Sequence, residues 1–505
     1  MTFRSASAIA IFASIAIGYF GWVWTDSLND LGGDSAVYLL SANHFLPFAA
    51  PNAAAHFFAV TSPYPPLYPI LLAILGGAGS LTIAHEITAM CLLAGLVALF
   101  YWLRFEQLDT PVSLSVVALI ALTPGVYMQA LYLHSEMLFF AFTVSAIAAL
   151  AKFELVPSRR MMLVAAAFAA AATLTRTIGI AMVAASLVWI IVNTKRDRWL
   201  AGAVAVTPLL AWTIFSPKVE PRVGYLEIFS QKLAQNLDVG LMAMVSQQAT
   251  MLADGWRVNL VGEGDNAMGA TIVGVIWVVA LVWRLRSGRV DAYFALFYLG
   301  VLLLWPFPAE RVRFMMPLVP IALAQMVLSA AQLKFSYSGR AMHAAPLAIV
   351  LVAVTGLPNL AMVYSHFTEQ VPPGMESFRH SPIWYEAATS EQRIESLFTE
   401  RRFVQGIRDM GAMVPKEECV FGIKPALVGL FAGRISHRTP LPQAGIADLG
   451  QCNFVYMVPF ASPTYHEAFY PLHSWQGRIQ LVKQFSLEPE NPDSPAVGVL
   501  GIVKR

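Results

Sequence analysis

Apolar segments of about the length of a membrane span recur along most of the chain, separated by short polar connections. A helix needs roughly 20 apolar residues to cross about 30 Å of hydrocarbon. Basic residues mark the loops that stay in the cytoplasm, so they orient each crossing. The pattern predicts about eleven spans, which lie at residues 8–24, 85–103, 114–132, 137–151, 161–192 (two spans), 199–215, 271–283, 293–304, 314–333 and 344–364.

Two segments depart from simple alternation. Residues 161–192 are too long for one span and have basic residues on both flanks, so we expect a hairpin that turns near Thr175-Arg176-Thr177. Residues 67–79 are apolar but short, and a crossing there would put Arg104 outside and invert every later basic loop. We therefore expect a juxtamembrane or re-entrant helix, which can begin at prolines because the first N–H groups of a helix need no partner.

The polar regions are predicted to share the external side. They are a first loop at residues 25–64, a second long loop at 216–269 and a C-terminal region at 365–505, which follows a transmembrane domain at 1–364. The C-terminal region reads as a small extracytoplasmic α/β domain, with a helix at 391–413 and strands at 419–423, 454–457 and 497–503. Arg4 precedes the first apolar run, which favours a retained signal-anchor helix with a cytoplasmic N-terminus; a cleaved signal peptide is the alternative.

Composition supports this picture. The chain has 505 residues, of which 57% are hydrophobic and 13% are charged, against about 25% charged in soluble domains. It is therefore a polytopic α-helical membrane protein, and no basic tract suggests nucleic acid. Cys91 lies in an apolar span, whereas Cys419 and Cys452 lie in the C-terminal region and are candidates for a disulfide if that region faces an oxidising compartment.

Ionisable residues converge on the predicted external ends of the spans. An ionisable group at membrane depth costs at least a few kcal/mol, so such groups usually line a polar cavity. Taken singly, Asp34 could instead cap a surface helix, and the arginines could form a structural ion-pair network. The set consists of Asp34, Glu136, Arg176, Glu310, Arg311 and Arg313.

The chemistry of this set suits transfer of a sugar from a lipid phosphate. A carboxylate would take the proton of an acceptor hydroxyl as its oxygen attacks the anomeric carbon. Arginines would bind the lipid phosphate through their planar fork of donors and stabilise the leaving group.

Five stretches, in this order, resemble the membrane-embedded GT-C glycosyltransferases. They are GGDSAVYLLSANHF with Asp34, PYPPLYPILLAIL, LHSEMLFFAFT with Glu136, LTRTIGI with Arg176, and ERVRFMMPLVP. The most similar branch is bacterial glycosyltransferase family 39, which includes protein O-mannosyltransferases and lipid A aminoarabinose transferases. The resemblance covers residues 3 to about 364 and implies an inverting transferase that uses a polyprenyl-phosphate sugar.

The resemblance also implies roles for individual residues. Asp34 would be the catalytic base, and Glu136 would hold the second acidic position. Phosphate-binding basic groups are expected, with Arg176, Arg311 and Arg313 as candidates. The remaining pocket candidates are Tyr38, Tyr64, His56, His134 and Glu310.

Two positions depart from the family's pattern. Ser35 follows Asp34 where a Glu is common, and Tyr64 stands where a Lys commonly precedes the Pro-Pro pair. The phosphate contact of that Lys must then come from His56 or an arginine. No cofactor is expected to be required, although Asp34, Glu136 and Asp265 would offer oxygen ligands to a divalent cation.

The expected location is a bacterial-type inner membrane, with a lipid-linked sugar donor and a hydroxyl acceptor as partners. A transporter or flippase is the main alternative. Transporters often have repeated halves, and the asymmetry of this chain, with two long external loops and an external C-terminal domain, argues against one. A non-catalytic assembly protein and a polymerase or ligase of lipid-linked glycans are further alternatives.

Overall fold

A computed structural model gives the architecture. It describes residues 3–29, 33–46, 52–194, 198–215, 230, 234, 240–262, 266–305, 310–337, 340–368, 390–422, 424–438, 451–458, 477–488, 490–491, 494 and 496–504. Asp265, the third member of the cation set considered above, lies outside these residues.

Helices form most of the chain, and those up to residue 368 make the membrane bundle. In chain order they are α1 Phe3–Trp22, α2 Asp34–Phe45, α3 Ala53–Thr61, α4 Leu67–Ile74, α5 Leu81–Phe105, α6 Thr110–Ala121, α7 Pro124–Gln129, α8 Glu136–Leu155, α9 Arg159–Thr175, α10 Ile180–Asn193, α11 Arg198–Phe215, α12 Leu241–Val261, α13 Ala267–Arg286, α14 Val290–Leu303, α15 Arg311–Met315, α16 Leu318–Gln332 and α17 Ala345–Thr368. Short 3₁₀ turns at Gly77–Gly79 and Thr177–Gly179 interrupt the series, and two strands, β1 Lys334–Tyr337 and β2 Arg340–His343, pair antiparallel.

The bundle is that of a multi-pass membrane protein. Within the described residues, four helices are long and apolar enough to cross a membrane unaided: Leu81–Phe105, Glu136–Leu155, Ala267–Arg286 and Arg311–Gln332. Six shorter apolar helices accompany them. The predicted count of eleven spans therefore stays a prediction.

The two irregular segments take the local form that the pattern predicts. Helix α9 ends at Thr175 and α10 begins at Ile180, so the long apolar run is a helical hairpin that breaks at Arg176. Helix α4 has 8 residues, which at 1.5 Å per residue is too short to cross a bilayer.

A second cluster of charges gathers at the end of the bundle opposite Asp34. The Arg284 side chain is fully buried and donates to Asp291 Oδ2 at 2.6 Å and to Glu106 Oε1 at 3.0 Å. Arg289 reaches Glu154 at the end of α8. These loops therefore share one end of the bundle, as the alternation of basic loops predicts.

The second long loop contains a helix that sequence reasoning did not predict. Helix α12 packs in the bundle, where Trp256 stacks on Trp277 at 5.0 Å and donates from Nε1 to the Ala270 carbonyl at 2.9 Å. Polar residues such as Gln248, Asp254 and Asn259 interrupt its apolar pattern, so it does not read as a membrane span.

The C-terminal unit is a sheet with helices against it. Helix α18 spans Ser390–Met413 and α19 spans Pro425–Ala432; the strands are β3 Val420–Gly422, β4 Ser436–Arg438, β5 Phe454–Met457, β6 Ile479–Ser486 and β7 Ala496–Val503. The strand order is β4-β3-β5-β7-β6, with parallel pairing around β3 and antiparallel pairing around β7. A disulfide joins Cys419 to Cys452 beside β3 and β5, and Cys91 is a buried free thiol. The helix α19 and the strands β4 and β6 were not predicted.

This unit rests on the first loop of the bundle. Gly429 of α19 lies so close to α2 and α3 that an added Cβ would be 2.6 Å from the Phe58 ring and 3.1 Å from Leu40. Phe57 of α3 contacts His437 of β4, with ring centroids 5.0 Å apart. The sheet is thereby held beside the loop that carries Asp34.

Candidate active site

Asp34 is the first residue of α2, directly after a glycine with a left-handed backbone. Gly33 has φ +104 and occupies the cap position, and no side chain caps this helix. The Asp34 carboxylate therefore does not cap α2, which was the alternative role considered from the sequence. It turns instead toward two donors: Tyr64 donates to Oδ1 at 2.5 Å, and Arg313 Nη1 donates to Oδ2 at 2.5 Å.

Arg313 is surrounded by carboxylates. Besides Asp34, its Nε donates to Glu136 Oε1, and Glu310 Oε2 lies 3.6 Å from its Nη1. Its side chain is 10% exposed, whereas that of Asp34 is 30% exposed. Arg313 thus fixes the position of Asp34 while leaving the carboxylate open to a ligand.

Arg176 lies on the other side of Glu136. The break between α9 and α10 gives Arg176 an extended backbone, with φ −147, and directs its side chain inward. Its Nη1 pairs with Glu136 Oε1, and its guanidinium lies 5.1 Å from the centre of the Phe314 ring. Glu136 begins α8 and is 1% exposed, so this buried carboxylate holds both arginines.

Helix α12 fixes the backbone that presents Arg313. Asn259 Nδ2 donates to the Val312 carbonyl at 2.8 Å. Gly255 permits close packing here, because a Cβ at that position would be 2.7 Å from the Arg311 carbonyl oxygen. An unpredicted helix therefore positions a predicted site residue.

Arg311 points away from this centre. Its Nε donates to Asp254 Oδ2 at 2.5 Å, and Arg257 binds the same carboxylate at 3.0 Å. Arg311 and Arg313 are two residues apart in one helical turn, so their side chains leave the helix about 200° apart. The structure thus separates two arginines that the sequence pattern places together.

The converging charges line a cavity of about 250 Å³. Six of its lining residues are among the candidates: Asp34, Tyr38, Tyr64, Arg176, Glu310 and Arg313. The others, which sequence reasoning missed, are Pro63, Pro65, Thr175, Thr177, Ile178, Trp305 and Phe314. Most of these residues stand next to a candidate in the sequence, and that adjacency is the feature from which they could have been predicted.

Tyrosines form the wall nearest Asp34. Tyr38 shares a hydrogen bond of 2.9 Å with Ser135, and its ring packs 5.1 Å from the rings of both Tyr64 and Tyr68. Burial raises the pKa of Tyr38 to about 12, against the opposing effect of Arg313 and Arg176. The phenol therefore stays protonated at neutral pH.

The two candidate histidines do not line the cavity. His56 lies on α3 with its ring centre 5.0 Å from that of His44. His134 is buried beneath the first turn of α8 and stacks on Tyr132 at 5.1 Å. Among the described residues, Arg176 and Arg313 therefore supply the basic groups of this cavity, and the two histidines do not.

Asp34 and Glu136, the two members of the candidate cation set that the structure describes, face donors and guanidinium groups. Both oxygens of Asp34 accept hydrogen bonds, and Glu136 is held by two guanidinium groups. A cation bound to these oxygens would lie against Arg313, which carries its own positive charge. In the C-terminal unit, Cys419, His437 and Cys452 also lie within ligand distance of one another, but the disulfide ties up both sulfur atoms.

Comparison with known proteins identifies the fold. No family model and no curated protein sequence matches the chain. ArnT from Cupriavidus metallidurans bound to undecaprenyl phosphate is similar in structure, with a TM-score of 0.56 and 12% identity over 98% of this chain and 97% of that chain. The apo form of the same protein has a TM-score of 0.51 and 11% identity, over 99% of this chain and 98% of that chain. The Archaeoglobus fulgidus oligosaccharyltransferase tethered with an acceptor peptide has a TM-score of 0.52 and 12% identity, over 89% of this chain and 69% of that chain. The expected GT-C fold is therefore confirmed.

Proposed function

We propose that the protein is an inverting glycosyltransferase that moves a sugar from a polyprenyl-phosphate donor to a hydroxyl acceptor at the outer face of the inner membrane. The observation that carries the proposal is one cavity in which an accessible carboxylate, Asp34, lies beside two buried arginines, Arg176 and Arg313. The GT-C fold supports the same chemistry, since ArnT of this fold is seen with undecaprenyl phosphate.

Asp34 acts as the general base. Its carboxylate takes the proton from the acceptor hydroxyl while the acceptor oxygen attacks the anomeric carbon from the face opposite the phosphate. The bond from the anomeric carbon to the phosphate oxygen breaks, and polyprenyl phosphate leaves with its negative charge. The hydrogen bond from Arg313 holds Oδ2, so Oδ1 is the atom that takes the proton. The Tyr64 hydroxyl, which donates to Oδ1 in this structure, must give way to the acceptor hydroxyl for this step.

Arg176 is the principal ligand of the donor phosphate. A guanidinium has five N–H donors. Among the described residues, Arg313 meets the carboxylates of Asp34, Glu136 and Glu310, whereas Arg176 meets that of Glu136 alone. Arg176 therefore keeps more donors for a phosphate, and it neutralises the charge that develops on the leaving group.

Glu136 is a positioning residue. It is buried, so it does not meet the acceptor, and its charge compensates two guanidinium groups that would otherwise repel each other. Two arginines against the three carboxylates of Asp34, Glu136 and Glu310 leave the cluster with one net negative charge. A bound phosphate therefore competes with carboxylates, and this competition aids its release as product.

The test is transfer by Asp34→Asn. The purified protein is reconstituted in lipid with a panel of radiolabelled undecaprenyl-phosphate sugars and a membrane extract as the source of acceptors. Asn keeps the size of the side chain but cannot take the proton, so we expect transfer to fall by about 10²–10⁴-fold. Asp109→Asn is the matched control and should keep most of the activity, because Asp109 is an exposed aspartate near Glu106, at the other end of the bundle.

A binding assay distinguishes loss of the catalytic base from loss of the fold. The Asp34→Asn variant should still bind undecaprenyl phosphate, because Arg176 and Glu136 are untouched. Equal transfer by wild type and variant would remove Asp34 as the base. Failure of the wild type to consume any donor in the panel would contradict the transferase proposal itself.

A further inference from the structure

Two histidines lie side by side on the first loop, outside the cavity that contains Asp34. His44 is in the last turn of α2, and His56 lies near the start of α3. Both side chains are exposed, and their ring centres are 5.0 Å apart. Neither ring lines the candidate active site, so the transfer reaction proposed above does not use them.

The spacing of the two rings fits one metal ion. Imidazole nitrogens bind Zn²⁺ at about 2.0–2.1 Å, which places the ion about 3.2 Å from the centre of each ring. Two imidazoles at a tetrahedral angle on one ion then have ring centres about 5.2 Å apart. The separation of 5.0 Å between His44 and His56 is therefore the distance expected of two ligands of the same ion. Because both rings are exposed, water can complete the coordination.

The surroundings of the pair favour a cation. His44 stands where the free carbonyl groups at the end of α2 carry a partial negative charge. The sequence from residue 35 to residue 60 contains no lysine or arginine that would repel an added ion. The neighbouring Asn43 donates from Nδ2 to the Ala78 carbonyl at 3.2 Å, which fixes this end of α2. One of the two ligands is thus held in place before an ion binds.

The histidine pair and the Tyr64–Asp34 hydrogen bond join the same two helices at opposite ends. Asp34 is the first residue of α2, and Tyr64 follows the last residue of α3 closely. His44 and His56 connect the other ends of these helices. Tyr64 must leave Asp34 before an acceptor hydroxyl can bind there, so an ion that ties α2 to α3 opposes this movement.

We propose that His44 and His56 form a binding site for a divalent transition metal ion that prefers imidazole ligands, such as Zn²⁺ or Cu²⁺, and that the bound ion slows transfer by holding the first loop closed. Each neutral imidazole donates one nitrogen lone pair to the ion. The binding site depends on the two histidines alone, whereas the effect on transfer rests on the transferase function proposed above.

Metal binding without any donor or acceptor tests the site independently of transfer. Zn²⁺ is titrated calorimetrically into the full-length protein in lipid nanodiscs, with no histidine tag present. We expect His44→Asn and His56→Asn each to weaken zinc binding by at least about tenfold, since even changes outside the ligand shell of a metal often cost this much. Cu²⁺ should bind more tightly than Zn²⁺, and its paramagnetic resonance spectrum should show two nitrogen ligands.

His437→Asn is the matched control. His437 is a partly buried histidine of β4 that lies beside Cys419 and Cys452, the other group of metal-ligating residues in the described part of the chain. Zinc binding should not change in this variant. Equal effects of His437→Asn and His44→Asn, a copper spectrum with no imidazole nitrogen, or binding that saturates only above about millimolar zinc would each overturn the site.

Transfer assays test the effect of the ion on the reaction. Saturating Zn²⁺ should slow transfer by the wild type and should not slow transfer by His44→Asn, which keeps its basal activity. Unchanged transfer by a wild type that has bound the ion would overturn the regulatory effect. If zinc binds as expected but the wild type transfers no sugar in the absence of zinc, the proposed function fails and the metal site stands.

Discussion

Glu136→Gln tests whether this buried carboxylate holds the site together. The substitution keeps the shape of the side chain but removes the negative charge between Arg176 and Arg313, all three of which are at most 10% exposed. Removing one partner of a buried ion pair costs about 3–5 kcal/mol. Asp34 and Glu310 still face Arg313, so we expect the lower end of this range, about 3 kcal/mol.

The expected shift in melting temperature follows from the size of the chain. Unfolding entropy is roughly 2 cal/mol/K per residue, so 505 residues give about 1 kcal/mol/K for a cooperative transition. The melting temperature should therefore fall by about 3 °C, measured by tryptophan fluorescence in lipid nanodiscs. Glu310→Gln is the control, because Glu310 is 47% exposed and lies 3.6 Å from Arg313. An exposed pair contributes about 0–1 kcal/mol, so its shift should stay below about 1 °C.

Ligand binding sharpens the test. In the Glu136→Gln variant the two guanidinium groups lack their shared anionic partner, and undecaprenyl phosphate should stabilise this variant by more degrees than it stabilises the wild type. Melting of Glu136→Gln at the wild-type temperature would show that the buried charge does not stabilise the cluster, and the positioning role would then be withdrawn.

Two further predictions concern the arginines and the disulfide. Arg176→Lys should raise the KM for donor about tenfold with little change in kcat, because an ammonium cannot bind phosphate with two parallel donors; Arg313→Lys should instead lower kcat, because it loosens Asp34. Steady-state kinetics with varied donor separates the two, and identical effects would contradict the assignment of distinct roles. Cys419→Ser with Cys452→Ser opens a loop with a sequence separation of 33 residues and should destabilise the C-terminal unit by about 4 kcal/mol in the chain-entropy model. Limited proteolysis should then cleave that unit faster than in a Cys91→Ser control, and unchanged cleavage would exclude a stabilising disulfide.

The sequence could predict which charged residues lie at the same end of the bundle as Asp34. Basic residues in the loops indicate the direction of each span, and therefore which span ends lie together. Asp34, Glu136, Arg176 and Arg313 each adjoin a helix end, and the structure brings them into one cluster. The break at Arg176 was also readable, since an apolar run with basic residues on both sides must turn. These features could be predicted because a membrane requires apolar helical spans and because basic residues concentrate in the cytoplasmic loops.

Side-chain direction around a short helical turn could not be predicted in the same way. Arg311 and Arg313 have the same chemistry and nearly the same position, and only packing against α12 decides which of them faces Asp34. Helix α12 itself was not predicted, because polar side chains that make buried contacts within the bundle interrupt its apolar pattern. Asn259 illustrates the difficulty, since a polar residue that reads as loop is fully buried and bonds two backbone carbonyls.

The contrast between the two acids explains why one side chain would do chemistry and the other would hold it in place. Asp34 and Glu136 carry the same group and bind the same arginine, but the Asp34 side chain is 30% exposed and that of Glu136 is 1% exposed. An acceptor can reach the first carboxylate and not the second. Because Arg313 bridges them, the buried charge sets the position of the accessible one. In the sequence, the family resemblance distinguishes the two acids; in the structure, burial gives the physical reason for the roles that we propose. Glu136→Gln should accordingly act through stability and phosphate binding, and Asp34→Asn should act through turnover.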